Sequence, residues 1–171
     1  MQNYFQLFSL EENFIIDLKA LEDSYQTQVA KFHPDKFVKK DDKQKQLSLQ
    51  NTSLLNTAFN ILKSPLSRAV YLLELQGINA FEEKDTSLDL DFLANQIELR
   101  EELEDIESNN SDLTSLDKFI DNIDNKIKEN ITKIEKFFLI KDFLQAKNSV
   151  RELKFYFQLS EQANDLMNER L

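Results

Sequence analysis

Residues 17–37 read DLKALEDSYQTQVAKFHPDKF. Leu18, Leu21, Tyr25, Val29 and Phe32 recur at intervals of three and four, the spacing of one helical face, and Asp17 stands where an N-cap belongs. The helix ends at its far side because Pro34 disfavours helical geometry at the residue before it, His33. That residue is the only histidine in the chain, and Pro34 is one of two prolines. An isolated His33-Pro34-Asp35 triplet is therefore expected in a loop at a helix exit.

Outward from this stretch the chain reads as all-α. One glycine and two prolines supply little of the turn chemistry that a sheet needs, and runs of alternating apolar residues are few. A short element is predicted through Tyr4, Phe5, Leu7 and Phe8. After the motif, a Lys- and Asp-rich loop leads to a helix beginning near Asp41 or Asp42, with Asn51, Leu55, Ala58, Phe59 and Leu62 inward. Paired antiparallel with the first, it leaves the motif at the tip of a helical hairpin. Ser64-Pro65 reads as N-cap and first residue of a further helix that Gly77 closes.

Composition excludes several classes of function. A zinc or transition-metal site draws on cysteine and several histidines, and this chain has no cysteine and one histidine. The acids are spread along helical faces with no calcium-loop spacing, and nothing resembles a glycine-rich nucleophile elbow, a phosphate cradle or a dinucleotide fingerprint. We expect no catalytic residue, no metal and no cofactor, hence no enzyme. The start, MQNYFQLFSL, lacks the basic region and long apolar run of a signal peptide, and no segment is apolar enough to span a bilayer. A soluble, cytoplasmic protein is the expectation.

The net charge of −10 disfavours nucleic acid and anionic membranes as partners. Its distribution divides the chain. Residues 1–76 carry nine basic and nine acidic residues, and residues 77–171 carry twelve and twenty-two, so the whole excess lies beyond the glycine. This suggests two units with different partners: residues 1–76, a linker over 77–89, and residues 90–171.

The second unit reads as three amphipathic helices joined by short turns, which make an antiparallel bundle. Phe92, Gln96, Leu99, Leu103 and Ile106 set the stripe of the first, which ends before the turn SNNSD at 108–112. Leu113, Leu116, Ile120, Ile123, Ile127, Ile131, Ile134 and Phe138 form a heptad-like seam on the second. A last helix carries Phe143, Ala146, Val150, Leu153 and Phe157, with the break placed at 139–142. On a helical wheel Leu93 and Ile97 fall about 100° and 140° from the first stripe. They form an apolar strip outside the seam, bordered by Ala94, Glu98, Glu101 and Asp105. Phe155 is likewise off the stripe of its own helix. Such a strip either meets a partner or packs against the linker or the first unit.

The triplet at the tip of a helical hairpin, flanked by Lys31 and Lys36, resembles the J-domain of DnaJ-class co-chaperones. NYFQLF, HPDKF, LLNTAFNILKSPLSRAVYLLELQG, FLANQIELREELEDIE and VRELKF together resemble one branch of that class over nearly the whole chain, the HscB family of iron-sulfur cluster assembly. The cysteine-bearing N-terminal extension of some eukaryotic members is lacking, which points to a bacterial-type or processed form. The resemblance implies that the J-domain docks on a DnaK-type chaperone, HscA, and promotes its ATP hydrolysis, while the C-terminal three-helix domain delivers the scaffold IscU.

It also implies site residues. His33, Pro34 and Asp35, with Lys31 and Lys36, would meet the chaperone. The basic face of the J-domain's second helix is thin here, mainly Lys19 and Lys31, so that docking relies on Lys36, Lys39 and Lys40 unless these are a solvated loop. Leu93, Ala94, Ile97, Glu98, Glu101, Asp105 and Phe155 match the family's scaffold-binding patch, with Ala94 smaller than the side chain expected there. Alternatives from the residues are a J-protein with another client and a helical binding module in which the triplet is incidental.

Overall fold

The computed structural model describes residues 3–37, 39, 41–82, 89–109 and 113–171. Among them are seven α-helices and one 3-10 turn: α1 Tyr4–Leu7, α2 Leu18–Lys31, the turn Pro34–Phe37, α3 Asp42–Lys63, α4 Pro65–Leu75, α5 Leu90–Ser108, α6 Leu113–Leu139 and α7 Phe143–Arg170. They fall into two compact units, Met1–Gln76 and Gly77–Leu171.

Local chemistry sets the boundaries in the first unit. The Asp17 carboxylate accepts from the amides of Lys19 and Ala20 to open α2, and Asp41 accepts from the Gln44 amide to open α3. Ser64 caps α4 with Pro65 at its first position. Gly77 follows that helix in the left-handed region, φ +76°, which favours glycine.

Helices α2 and α3 run antiparallel. Tyr25 stacks on Phe59 at 4.2 Å and donates to Asn56, while further along α2 the Phe32 carbonyl faces Ser48 and Thr52. Residue numbers fall on α3 as they rise on α2, so the Pro34–Phe37 turn lies at the hairpin tip. Phe5, Phe8, Leu21, Leu55, Ala58, Leu62, Ala69 and Leu73 fill the core. Leu18 is not part of it. In the first turn of α2 it is 53% exposed, and the buried stripe begins at Leu21.

Arg68 gave no sequence signal, yet it is buried between segments of this unit. Its Nε donates to the Phe14 carbonyl at 2.7 Å and a terminal nitrogen to the Leu62 carbonyl at 2.6 Å, while the guanidinium lies 5.1 Å from the Phe14 ring centre. Burial pulls its pKa below the ordinary arginine value. Leu62 lies in the last turn of α3, whose carbonyls have no intrahelical donors, so this arginine also caps a helix from outside. Arg68→Met should fill the space but strand two buried acceptors, lowering unfolding free energy by about 2–4 kcal/mol. Urea denaturation checks this, and a loss under about 0.5 kcal/mol would remove Arg68 as a tie.

In the second unit α6 and α7 pack along their lengths, and α5 packs on both. Leu116, Phe119, Ile123, Ile127 and Ile134 form the buried seam of α6, with Leu113 39% exposed at its start. A turn without glycine separates α6 from α7: Lys141 takes the left-handed conformation, φ 58°, and Asp142 caps α7 by accepting from the Gln145 amide.

On α7 the buried set is wider than one stripe. Ala146, Val150 and Leu153 are buried as expected, and so are Phe155, Tyr156, Leu159 and Ala163. A helix packed against two neighbours buries two stripes, and Phe157, expected inward, is only half-buried. Just after Gly77, Ala80 is buried and the Phe81 ring lies 4.2 Å beneath Lys154 Nζ, so this end of the expected linker packs on the second unit. Residues 83–88 of that segment, and 110–112 of the expected SNNSD turn, lie outside the described residues.

Candidate functional site

The chain carries two separate sets of candidate residues, one in each unit. In the first, α2 ends at Lys31, Phe32 is its C-cap, and the His33 carbonyl accepts from the Lys36 amide at 3.0 Å to close the turn. Side chains of His33 and Asp35 are 53% and 86% exposed. The Asp35 amide donates to His33 Nδ1 at 3.3 Å, which suits a neutral ring with its proton on Nε2. The same Nδ1 lies 3.5 Å from an Asp35 carboxylate oxygen, and the carboxylate keeps most of its surface for an outside donor. Lys31, Lys36 and Lys39 are exposed, and the Lys31 ammonium reaches the Gln28 side chain at 3.5 Å. Lys40 lies outside the described residues. The structure thus places the expected His33, Asp35, Lys31 and Lys36 at one end of the hairpin, Asp35 and Lys36 on the exposed turn opened by Pro34 and Lys31 at the end of α2.

In the second unit, α5 is opened by Asp89, whose carboxylate accepts from the Asp91 amide. Ile97 is 58% exposed and Leu93 half-buried, with Ala94, Glu98, Glu101 and Asp105 exposed on the same helix. Glu98, Glu101, Glu102 and Asp105 edge an open hollow of about 560 Å³ that reaches Ser115 and Lys118 of α6. An exposed aliphatic beside carboxylates offers apolar contact and negative charge on one face.

Phe155 does not share that exposure. Only 5% of it is accessible: its ring meets Phe92 edge to face at 5.9 Å, touches Tyr156, and lies 5.5 Å below the Arg100 guanidinium. The expectation of an exposed phenylalanine is therefore corrected. It faces α5 from the second stripe of α7, so it supports the helix that bears Leu93 and Ile97. Asn95 Nδ2 donates to the Tyr156 hydroxyl at 3.2 Å and fastens the same contact. Burial, with Glu152 nearby, raises the Tyr156 pKa. Nothing in the sequence singled out Arg100 or Asn95. Their pairing with α7 could be read only once the second stripe of that helix was known.

Among the described residues no group of three or more His, Cys, Asp or Glu is placed to hold a metal ion, and no helix is long and apolar enough to cross a membrane.

Comparison with known proteins sorts these features. The chain is 37% identical over 160 residues to the co-chaperone protein HscB homolog of Pseudoalteromonas atlantica, covering 92% of this chain and 91% of that one. It belongs to the HscB family. A family model described as the HSCB C-terminal oligomerisation domain matches residues 88–164, which take in α5, α6 and most of α7. Chaperone HscB from Vibrio cholerae has the same fold at a TM-score of 0.88 and 30% identity, covering 99% of this chain and 100% of that one. Human co-chaperone HscB matches at a TM-score of 0.89 and 27% identity, over 96% of this chain and 81% of that one. The all-α architecture of an HscB, a J-domain followed by a C-terminal helical bundle, is thus the architecture of this chain.

Proposed function

We propose that the chain is an adaptor co-chaperone of iron-sulfur cluster assembly. The His33-Pro34-Asp35 turn docks on a DnaK-type chaperone of the HscA kind and stimulates its ATP hydrolysis, and the α5 face of the second unit holds the scaffold IscU. One observation carries the reading: in a member of the HscB family, the Asp35 carboxylate stands 86% exposed at the tip of an antiparallel helical hairpin.

A carboxylate so placed can accept charge-assisted hydrogen bonds from an arginine of the partner, which are stronger and more directional than neutral ones. A ligand shifts a conformational equilibrium only through contacts that differ between its two states, and a directional ion pair formed in one chaperone state supplies such a difference. The protein then does no chemistry of its own. On the second unit, Ile97 and Leu93 offer apolar contact, and Glu98, Glu101 and Asp105 a negative border that steers a basic patch.

Steady-state ATP hydrolysis by an HscA-type chaperone tests the reading. The chain should raise the rate several-fold, and further when IscU is added. Stimulation without any response to IscU would indicate a J-protein with a different client. No stimulation in either condition would leave the triplet without a role and overturn the proposal.

A further inference from the structure

The carbonyl directly before His33 is that of Phe32, the C-cap of α2. Carbonyls at a helix end lack intrahelical donors and ordinarily turn to water. This one turns to α3. Ser48 Oγ donates to it, and Thr52 Oγ1, one helical turn further along, lies 3.5 Å from the same oxygen while donating to the Ser48 carbonyl at 2.9 Å. Ser48 is only 2% exposed, so its hydroxyl is committed inside the α2–α3 seam.

The consequence lies in the peptide planes. The Phe32 carbonyl and the His33 amide share one plane, and holding the oxygen fixes the direction in which the chain enters His33. The next plane is held by the Lys36 amide bond to the His33 carbonyl, and Pro34 restricts the torsion that follows. Two successive planes are thus anchored, the first by α3 and the second by the turn itself. The Asp35 amide, in turn, donates to His33 Nδ1 at 3.3 Å, so the anchored backbone sets the direction of the His33 ring and of the Asp35 Cα–Cβ bond.

We propose that Ser48 is a positioning residue for the His33-Pro34-Asp35 turn, with Thr52 as its reserve donor, holding the Phe32 carbonyl so that the backbone carrying His33 and Asp35 is presented in one orientation. The importance of that orientation for docking rests on the co-chaperone reading above. The hydroxyls touch no partner themselves. They act by removing alternative directions of the turn before the partner arrives, so that less ordering is left to do on binding.

The test uses the full chain with Ser48→Ala, Thr52→Val and the two combined. Ser48 is the direct donor and the Thr52 proton goes to the Ser48 carbonyl, but in Ser48→Ala the Thr52 hydroxyl is left near enough to turn to the Phe32 oxygen, so the double variant should lose more than the two singles together. At a temperature where circular dichroism shows every variant folded, the Asp35 amide and His33 ring-nitrogen resonances should move in the double variant while amides of α1 and α4 stay in place. The concentration giving half-maximal stimulation of the chaperone should rise about tenfold. A merely structural role would lower the melting temperature and leave the resonances of the folded protein alone.

Unmoved Asp35 and His33 resonances overturn the proposal whatever the ATPase shows. Moved resonances with an unchanged half-maximal concentration overturn it too, since placement would then not matter to docking. Should the unsubstituted chain stimulate no chaperone, the functional reading fails, and the resonances still decide whether α3 holds the turn. Should the double variant not fold, Ser48→Ala alone is read in the same way.

Discussion

Asp35→Asn should reduce stimulation of the chaperone's ATPase by about tenfold or more and leave the affinity for IscU unchanged. The substitution keeps size, planarity and the backbone amide that donates to His33 Nδ1, and removes only the charge. The side chain is 86% exposed, and among the described residues its nearest partner is the His33 ring at 3.5 Å, so stability should change by less than about 0.5 kcal/mol. A loss of stimulation therefore reports on the contact with the partner and not on the fold. Hydrogen bonds to a charged group contribute about 1.5–3 kcal/mol, which is the basis of the tenfold figure. Titrating the chaperone with both proteins at fixed ATP checks it. Equal stimulation curves would remove the Asp35 charge from the mechanism.

Ile97→Asp should do the reverse, weakening IscU binding by about tenfold or more while stimulation in the absence of IscU persists. Ile97 is 58% exposed, so the fold loses little, while the partner would meet a carboxylate where an apolar contact stood, beside Glu98 and Glu101. Isothermal titration calorimetry measures the change. Unchanged affinity would take the α5 face out of the account. Phe155 is a poor probe of the same surface. Truncating a ring packed between Phe92 and Arg100 creates a cavity costing about 3–4 kcal/mol, so Phe155→Ala would weaken binding through the fold even if no partner touched the ring.

Much of this is legible in the sequence. Asp17, Asp41, Ser64 and Gly77 announce their boundaries because capping is local chemistry, written within four residues. The seam of α6 follows from its 3.5-residue repeat, in which Leu116, Ile123 and Ile134 are fully buried. What stayed hidden depends on a second element. Phe155 is surplus on a wheel centred on Val150 and Leu153, and its burial is explained only by α5 lying against the other side of α7. Ser48 and Thr52 read as ordinary polar residues of α3, and their alignment on the Phe32 carbonyl needs the register of the hairpin. Arg68 looks like a surface cation until the Phe14 and Leu62 carbonyls are found converging on it.

The central claim is that one chain couples the two partners, and the most direct measurement is a mixing experiment. HscA-type ATPase is followed with IscU present, using the unsubstituted chain, Asp35→Asn, Ile97→Asp, and an equimolar mixture of the two variants. The account predicts IscU-dependent enhancement with the unsubstituted chain alone, because in the mixture the molecule that docks on the chaperone cannot hold the scaffold. Full enhancement restored by the mixture would contradict it, showing that the two sites need not be joined in one molecule.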